Sequence, residues 1–333
     1  MAIKDYKWLS DTLAQLPERL PGALLLYGQR GVGKQLLAES LSQGLLCTNS
    51  GEVGHPCGRC PGCHLFEVGN HPDFRRLQPE KDVEEGTKIP STKGGSAPRL
   101  SSLIKVDAVR ELADLVANAS HRGGARVILV TSAESLHPSA GNALLKMLEE
   151  PGRDTHFILV SNDISRILPT IKSRCFQLSV NLPASSVSTE WLNAQQTRHA
   201  EAALCLSSYA PLAARALSED EDFWSARGDL IAALATPSVD PFNLTGIAEK
   251  LDPLVLARLL GMWVFDLLAL QHGAEARYHR DMNVELSGTA RRVAGKDLCR
   301  WNNKVRDFAR AAEHPLNRRL ALESLFISWP GAS

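Results

Sequence analysis

The sequence predicts an α/β domain built on a largely parallel sheet, followed by an all-helical region. Three observations carry this. Short apolar runs alternate with helix-spaced segments between residues 23 and 180. A glycine-rich turn at 28–33 joins the first apolar run to the first such helix. Past Pro183 the chain becomes rich in Ala, Leu and Arg, keeps helical spacing and loses its strand signal.

Each element follows from its own residues. Residues 23–27 (ALLLY) form a short continuous apolar run that ends at glycine, the pattern of a strand buried on both faces. Residues 34–46 place Leu36, Leu37, Leu41 and Leu45 on one helical face. A cysteine-rich insert occupies 47–63. Residues 80–102 mix charge with Gly, Ser, Thr and Pro without periodicity and read as a mobile surface loop. Asp107 is placed to cap a helix running to about 119. Strands are expected at 126–132 (RVILVTS), 156–161 (HFILVS) and 176–180. A helix is expected at 140–150, stopped by Pro151, and a short one at 164–171, bent at Pro169. Pro211, Pro237, Pro241, Pro253 and Pro315 punctuate the helical region.

The 333 residues suffice for about two domains at roughly 150 residues each, and for a core that needs no disulfide. The expected divisions are 1–182, 183–218 and 219–333. Lys and Arg number 37, as do Asp and Glu, so the formal charge is zero; a dedicated nucleic-acid domain carries a basic excess. The N-terminus bears charges where a signal peptide needs an apolar run. The most apolar stretch, 253–270, contains Arg258 and Asp266, which favours a buried helix over a bilayer span. A cytoplasmic location away from membranes is expected, with the 7 cysteines reduced or metal-bound.

Gly28-Gln-Arg-Gly31-Val-Gly33-Lys34-Gln35 follows a strand and opens a helix. That context suits a phosphate-binding loop, in which backbone N–H groups cradle phosphates, the helix dipole favours the anion and the lysine reaches the outer oxygens. Gly28, Gly31, Gly33 and Lys34 are the candidate nucleotide-binding residues. The last position departs from the pattern: Gln35 replaces the Ser or Thr whose hydroxyl ligates magnesium. Ser132 and Ala133 stand where an acidic pair is expected after the next core strand, and Glu134 reads as a solvated carboxylate pointing elsewhere. Losing both metal anchors should abolish hydrolysis, while Lys34 leaves weak ATP binding open.

Cys47, Cys57, Cys60 and Cys63 fall within seventeen residues, with glycines and prolines between them for tight turns. Four sulfurs match a closed tetrahedral zinc site of structural type. An iron–sulfur cluster and unliganded thiols are the alternatives. His55 and His64 read as surface neighbours of the cluster. Cys175, Cys205 and Cys299 are scattered and read as buried.

Three further segments make the pattern specific: Gly141-Asn-Ala-Leu-Leu-Lys146, the Glu149-Glu150-Pro151 that follows it, and Ser173-Arg174-Cys175. With the phosphate loop and the four-cysteine insert, they resemble the clamp-loader branch of the AAA+ ATPases. His71-Pro72-Asp73, residues 106–111 and residues 317–325 add to the likeness. Within that branch the degenerate loop resembles a non-hydrolysing stator subunit of the bacterial DNA polymerase III clamp loader. The resemblance implies an AAA+ domain over 1–182 with a zinc module at 47–63, a helical lid over 183–218 and a helical collar over 219–333. It implies other clamp-loader subunits of gamma/tau and delta type as partners, with the sliding clamp and primed DNA engaged by the assembled complex. It also implies that Arg174, flanked by Ser173, serves as an arginine finger on a neighbour's ATP, where its planar charge stabilises the transition state. Ser161 and Asn162 then occupy a γ-phosphate-sensing position, vestigial in a degenerate site. The competing readings are an ATP-hydrolysing motor subunit of the same complex and, from another class, a zinc-dependent nucleic-acid-binding module.

Overall fold

A computed structural model describes residues 3–49, 54–82, 101–117, 124–152, 154–311 and 317–331. The chain divides into two compact units, Met1–Leu182 and Pro183–Ser333.

The first unit holds a five-stranded parallel sheet in the order β2-β3-β4-β1-β5. Its strands are β1 (Ala23–Tyr27), β2 (Phe74–Leu77), β3 (Arg126–Val130), β4 (Thr155–Ser161) and β5 (Phe176–Ser179). Leu24, Leu25 and Leu26 of β1 are wholly buried, as are Val127 to Val130 of β3 and Phe157 to Leu159 of β4. Parallel crossovers place helices on both sheet faces, so these runs need no polar alternation. The helices are α1 (Lys7–Leu13), α2 (Lys34–Leu46), α3 (Pro61–Glu67), α4 (Val106–Ala117), α5 (Pro138–Glu149) and α6 (Pro169–Lys172). The Leu144 and Leu148 stripe of α5 joins Ile128, Leu159 and Ile171 in one core, with Leu145 half-buried beside it.

Several boundaries differ from expectation for local reasons. Strand β2 was not expected, because Phe-Arg-Arg-Leu offers no alternation; its pairing with β3 is what makes it a strand. At its foot, buried Asp73 faces buried Arg126 at 3.9 Å. Helix α4 begins at Val106, so Asp107 lies in the first turn, where its charge meets the dipole, rather than capping. Helix α5 begins at Pro138, earlier than residue 140, because His137 Nδ1 accepts from Ser139 N and proline suits the first turn. The expected bent helix at 164–171 is two pieces, a 3-10 turn at Ile164–Arg166 and α6, which Pro169 opens rather than bends. Of the loop expected at 80–102, Glu80–Asp82 forms a 3-10 turn and Glu80 accepts from Ser101 N at 2.9 Å; residues 83–100 lie outside the described residues.

The second unit contains no strand among its described residues. It comprises α7 (Ser185–Ala194), α8 (Ala200–Leu206), α9 (Pro211–Ser218), α10 (Glu221–Ala235), α11 (Pro241–Ala248), α12 (Pro253–Gln271), α13 (Asn283–Arg292), α14 (Gly295–Ala311) and α15 (Arg318–Ile327). Among the described residues, α12 is the one helix long and apolar enough to cross a membrane by length and composition. Its Leu256, Leu260, Trp263 and Leu267 are buried in the core of this unit with Trp301, Phe326 and Trp329. The two charges flagged in the sequence are both engaged. Arg258 donates to the Leu206 carbonyl at 3.1 Å, and Asp266 is fully buried. Cys205 is buried, Cys175 half-buried, and Cys299 exposed, contrary to expectation: the inward face of α14 is taken by Leu298, Trp301 and Val305.

Asp266 organises the loop before α13. Its carboxylate accepts from the backbone N–H groups of Arg277 (2.7 Å), Tyr278 (3.1 Å) and His279 (2.7 Å), and from His279 Nδ1 at 3.0 Å. In the same loop, Asp281 takes a bidentate pair from buried Arg227, both bonds 2.8 Å. Burial pushes the Asp266 carboxyl upward, but the His279 and backbone hydrogen bonds outweigh it and hold the group below its ordinary range. Burial depresses the His279 pKa, with Asp266 opposing. The unfolded chain therefore takes up a proton near pH 6.5 that the native imidazole resists, and stability falls as pH drops through that value. Thermal unfolding of the helical unit is expected to shift downward between pH 7.5 and pH 5.5, and His279→Gln should flatten that dependence. Asp266→Ala strands the N–H donors and is expected to cost about 3–5 kcal/mol, read from urea midpoints.

Candidate functional site

The glycine-rich loop leaves the end of β1 and opens α2. Gly28, Gly31 and Gly33 all have positive φ (152°, 83° and 109°). A Cβ on Gly28 would stand 2.3 Å from the Val180 carbonyl oxygen, so only glycine lets the loop pass β5 this closely. Lys34 is the first helical residue and is almost wholly buried. Its ammonium donates to the Gln29 carbonyl at 2.7 Å. Burial lowers its pKa to about 8, against the opposing field of Glu134. The indole N–H of Trp8, from α1, donates to the Val32 carbonyl at 2.7 Å. The loop is thus braced by two of the chain's own donors.

Gln35 does not turn toward the loop. Its amide donates to Glu39 one turn along α2 at 3.1 Å, and Glu39 also accepts from Arg76 at 2.8 Å. Ser132 follows β3 in a left-handed conformation, and Ala133 is buried. Glu134 corrects the expectation of a solvated carboxylate. It is half-buried, and its Oε1 accepts from Asn162 N (3.2 Å) and Asn162 Nδ2 (2.9 Å) across the ends of β3 and β4. Its Oε2 is buried with no hydrogen-bond partner among the described residues. Ser161 accepts from Asp163 N at 3.1 Å.

The four cysteines converge. Cys47 closes α2, Cys57 sits in the loop, Cys60 is the N-cap of α3 and Cys63 lies in its first turn. Their sulfurs all lie within 4.8 Å of one another, with Cys47 to Cys60 at 3.7 Å and Cys57 to Cys63 at 4.0 Å. A tetrahedral thiolate site with metal–sulfur bonds of about 2.3 Å has edges of about 3.8 Å, so the group can hold a metal ion. Gly62 allows the assembly, since a Cβ there would meet the Leu46 carbonyl oxygen at 2.3 Å. A hydrogen bond from the Thr48 side chain draws the Cys60 thiol down to about 5, while burial pushes Cys63 up to about 12. A bound cation would favour the thiolate forms over the thiols. His64 is exposed and His55 half-buried, and neither belongs to the four-sulfur group.

Arg174 stands between α6 and β5. Its Nε donates to Glu149 Oε1 at 2.7 Å, its Nη2 donates to the same oxygen, and its Nη1 donates to the Thr170 carbonyl at 2.9 Å. The side chain remains about a third exposed (32%). Ser173, exposed, donates to the Thr170 carbonyl at 3.1 Å and lies 3.4 Å from Arg174 Nη1.

The profile of the family described as DNA polymerase III, delta subunit, matches residues 6–183, and that of its C-terminal part matches residues 221–330. The DNA polymerase III subunit delta' of Pseudomonas aeruginosa is 34% identical over 342 residues, covering 97% of each chain. That of Escherichia coli is 34% identical over 87% of this chain and 82% of its own. The chain belongs to the DNA polymerase III delta-prime family.

Two contacts around the candidate site carry no signal in the sequence: Trp8 with Val32 and Glu149 with Arg174. Trp8 lies in a segment with no nearby motif, and only its three-dimensional approach to Val32 reveals it. Glu149 was visible as part of a motif, but a pairing across 25 positions leaves no local signal. Metal analysis of the purified protein is expected to give about one equivalent per chain. Cys60→Ser should abolish it and loosen residues 47–63 in hydrogen exchange, while protection of β1, β3 and β4 persists because their core lies elsewhere.

Proposed function

We propose that this chain is the stator of the DNA polymerase III clamp loader: an AAA+ subunit that does not hydrolyse ATP and lends Arg174 to a neighbour that does. The observation that carries this reading is the pairing of a disarmed phosphate loop with a displayed arginine. Gln35 is committed to Glu39, and Ser132 and Ala133 offer no carboxylate. Phosphoryl transfer depends on neutralising charge around metal-bound phosphate, and this loop supplies a lysine but not the metal anchors. Lys34 itself is engaged with Gln29, so ATP binding in this chain is weak or vestigial.

Arg174 supplies what the neighbour lacks. Its guanidinium carries spare N–H donors into solvent and cannot lose its charge near neutral pH. Placed against a γ-phosphate across a subunit interface, it stabilises the charge that develops on the transferred group. Ser173 helps fix the turn that presents it. Zinc is the metal that best suits four cysteine sulfurs at these separations. When bound it cross-links α2 to α3 and takes no part in ATP chemistry. Residues 183–218 form the lid and 219–333 the collar that joins subunits of gamma/tau and delta type. The sliding clamp and primed DNA are met by the assembled complex, in the bacterial cytoplasm.

The isolated chain is expected to hydrolyse no magnesium-ATP above background. Turnover abolished by Lys34→Ala would instead make it a motor subunit. In a clamp loader carrying Arg174→Ala in this subunit alone, the ATP site it serves should slow by roughly 10³-fold or more while assembly persists. Lysine should rescue poorly, because a point charge lacks the planar fork. Wild-type clamp-loading rates in the Arg174→Ala complex would refute the finger assignment.

A further inference from the structure

We infer that Glu149 is the positioning residue for Arg174: it holds the guanidinium by one edge and leaves the rest facing outward for a neighbour's phosphate. This rests on the reading of Arg174 as a finger. The two residues come from different elements, Glu149 from the last position of α5 and Arg174 from the turn between α6 and β5. Both Nε and Nη2 of Arg174 converge on the single oxygen Oε1, and Nη1 is tied to the Thr170 carbonyl. A guanidinium has five N–H donors, so a second Nη2 proton remains without a protein acceptor among the described residues. The 3.4 Å contact from Nη1 to Ser173 is long and readily exchanged for a phosphate oxygen. The contact orients the arginine without hiding it.

The carboxylate sits where helix stability alone would not put it. An acidic side chain in the last turn opposes the helix dipole, and Glu150 follows directly. An exposed ion pair adds little to folding stability. It does restrict a long side chain that otherwise samples many rotamers. The supporting elements are themselves fixed. Ile171 of α6 is buried in the core shared with Leu144 and Leu148 of α5. Gly141 of α5 lies so close to Leu168 that a Cβ would meet its Cδ1 at 2.7 Å. Glu149 and the Thr170 carbonyl therefore form two fixed points that hold one rotamer of Arg174.

The test uses the assembled clamp loader with substitutions in this subunit alone: Glu149→Ala, Glu149→Gln, Arg174→Ala and the double variant Glu149→Ala/Arg174→Ala. Glu149→Ala is expected to lower the clamp-loading rate by about ten- to a hundred-fold, the upper figure being the cost of misplacing a catalytic group by about 1 Å. The loss should appear in the maximal rate of ATP hydrolysis with KM unchanged, because the finger acts on the transition state. Glu149→Gln keeps one acceptor oxygen and should retain more activity than alanine, the reverse of the order expected from helix propensity. It also keeps the test decisive should the alanine variant fail to assemble. In the Arg174→Ala background, Glu149→Ala should add no further loss. A Glu149→Ala complex as fast as wild type, or faster, while Arg174→Ala is slow, would overturn the positioning role and leave the finger standing. A further loss in the double variant would place the action of Glu149 elsewhere and overturn it too. Wild-type speed with Arg174→Ala would overturn the finger, and the role of Glu149 with it.

Discussion

Strand β1 hydrogen-bonds to β4 on one side and β5 on the other, in register from Ala23 against Phe157 and from Leu24 against Phe176. This double pairing sets where the residues of the proposed phosphate site stand. The glycine-rich loop leaves β1, Asn162 follows β4, and Arg174 precedes β5. A slip of β1 by one residue would reverse the facing of Leu24, Leu25 and Leu26 and carry the loop off its approach to Val180. Because leucines fill both faces, their burial alone does not choose the register; the close pass of Gly28 by the Val180 carbonyl, which a Cβ would block at 2.3 Å, constrains it.

The elements legible in the sequence were those whose information is local. Strands β1, β3 and β4 announce themselves as apolar runs, and α2 by the spacing of its leucines. The cysteine group was legible because ligand chemistry constrains residue type and spacing together. Strand β2 was not, because two arginines in four residues carry no strand pattern and its structure comes from pairing with β3. Glu134 was misread for a similar reason. Its partner Asn162 lies 28 positions away, and a carboxylate beside a strand end reads as solvated until the neighbouring strand is in place. The Trp8 to Val32 bond spans 24 positions and was equally silent.

The glycine-rich loop is also surrounded by paired charge. Glu39 collects both Gln35 and Arg76, and Glu134 collects Asn162 while its field reaches Lys34. Two carboxylates thus answer the polar and cationic groups around the loop from within the same domain. A buried lysine without such a countercharge would lose its proton more readily still.

The braced carbonyls of Gln29 and Val32 have a thermodynamic consequence. The loop attains its folded shape with Lys34 and Trp8 already spent on its own backbone. A phosphate that enters either shares the three-donor ammonium of Lys34 with Gln29 or draws it away, and in the second case its apparent affinity is reduced by the fraction of molecules in which that bond is open. By linkage, the stabilisation that nucleotide can give this domain also shrinks, as the logarithm of that fraction when nucleotide is in excess. Nucleotide is therefore a weak lever on the conformation of this domain.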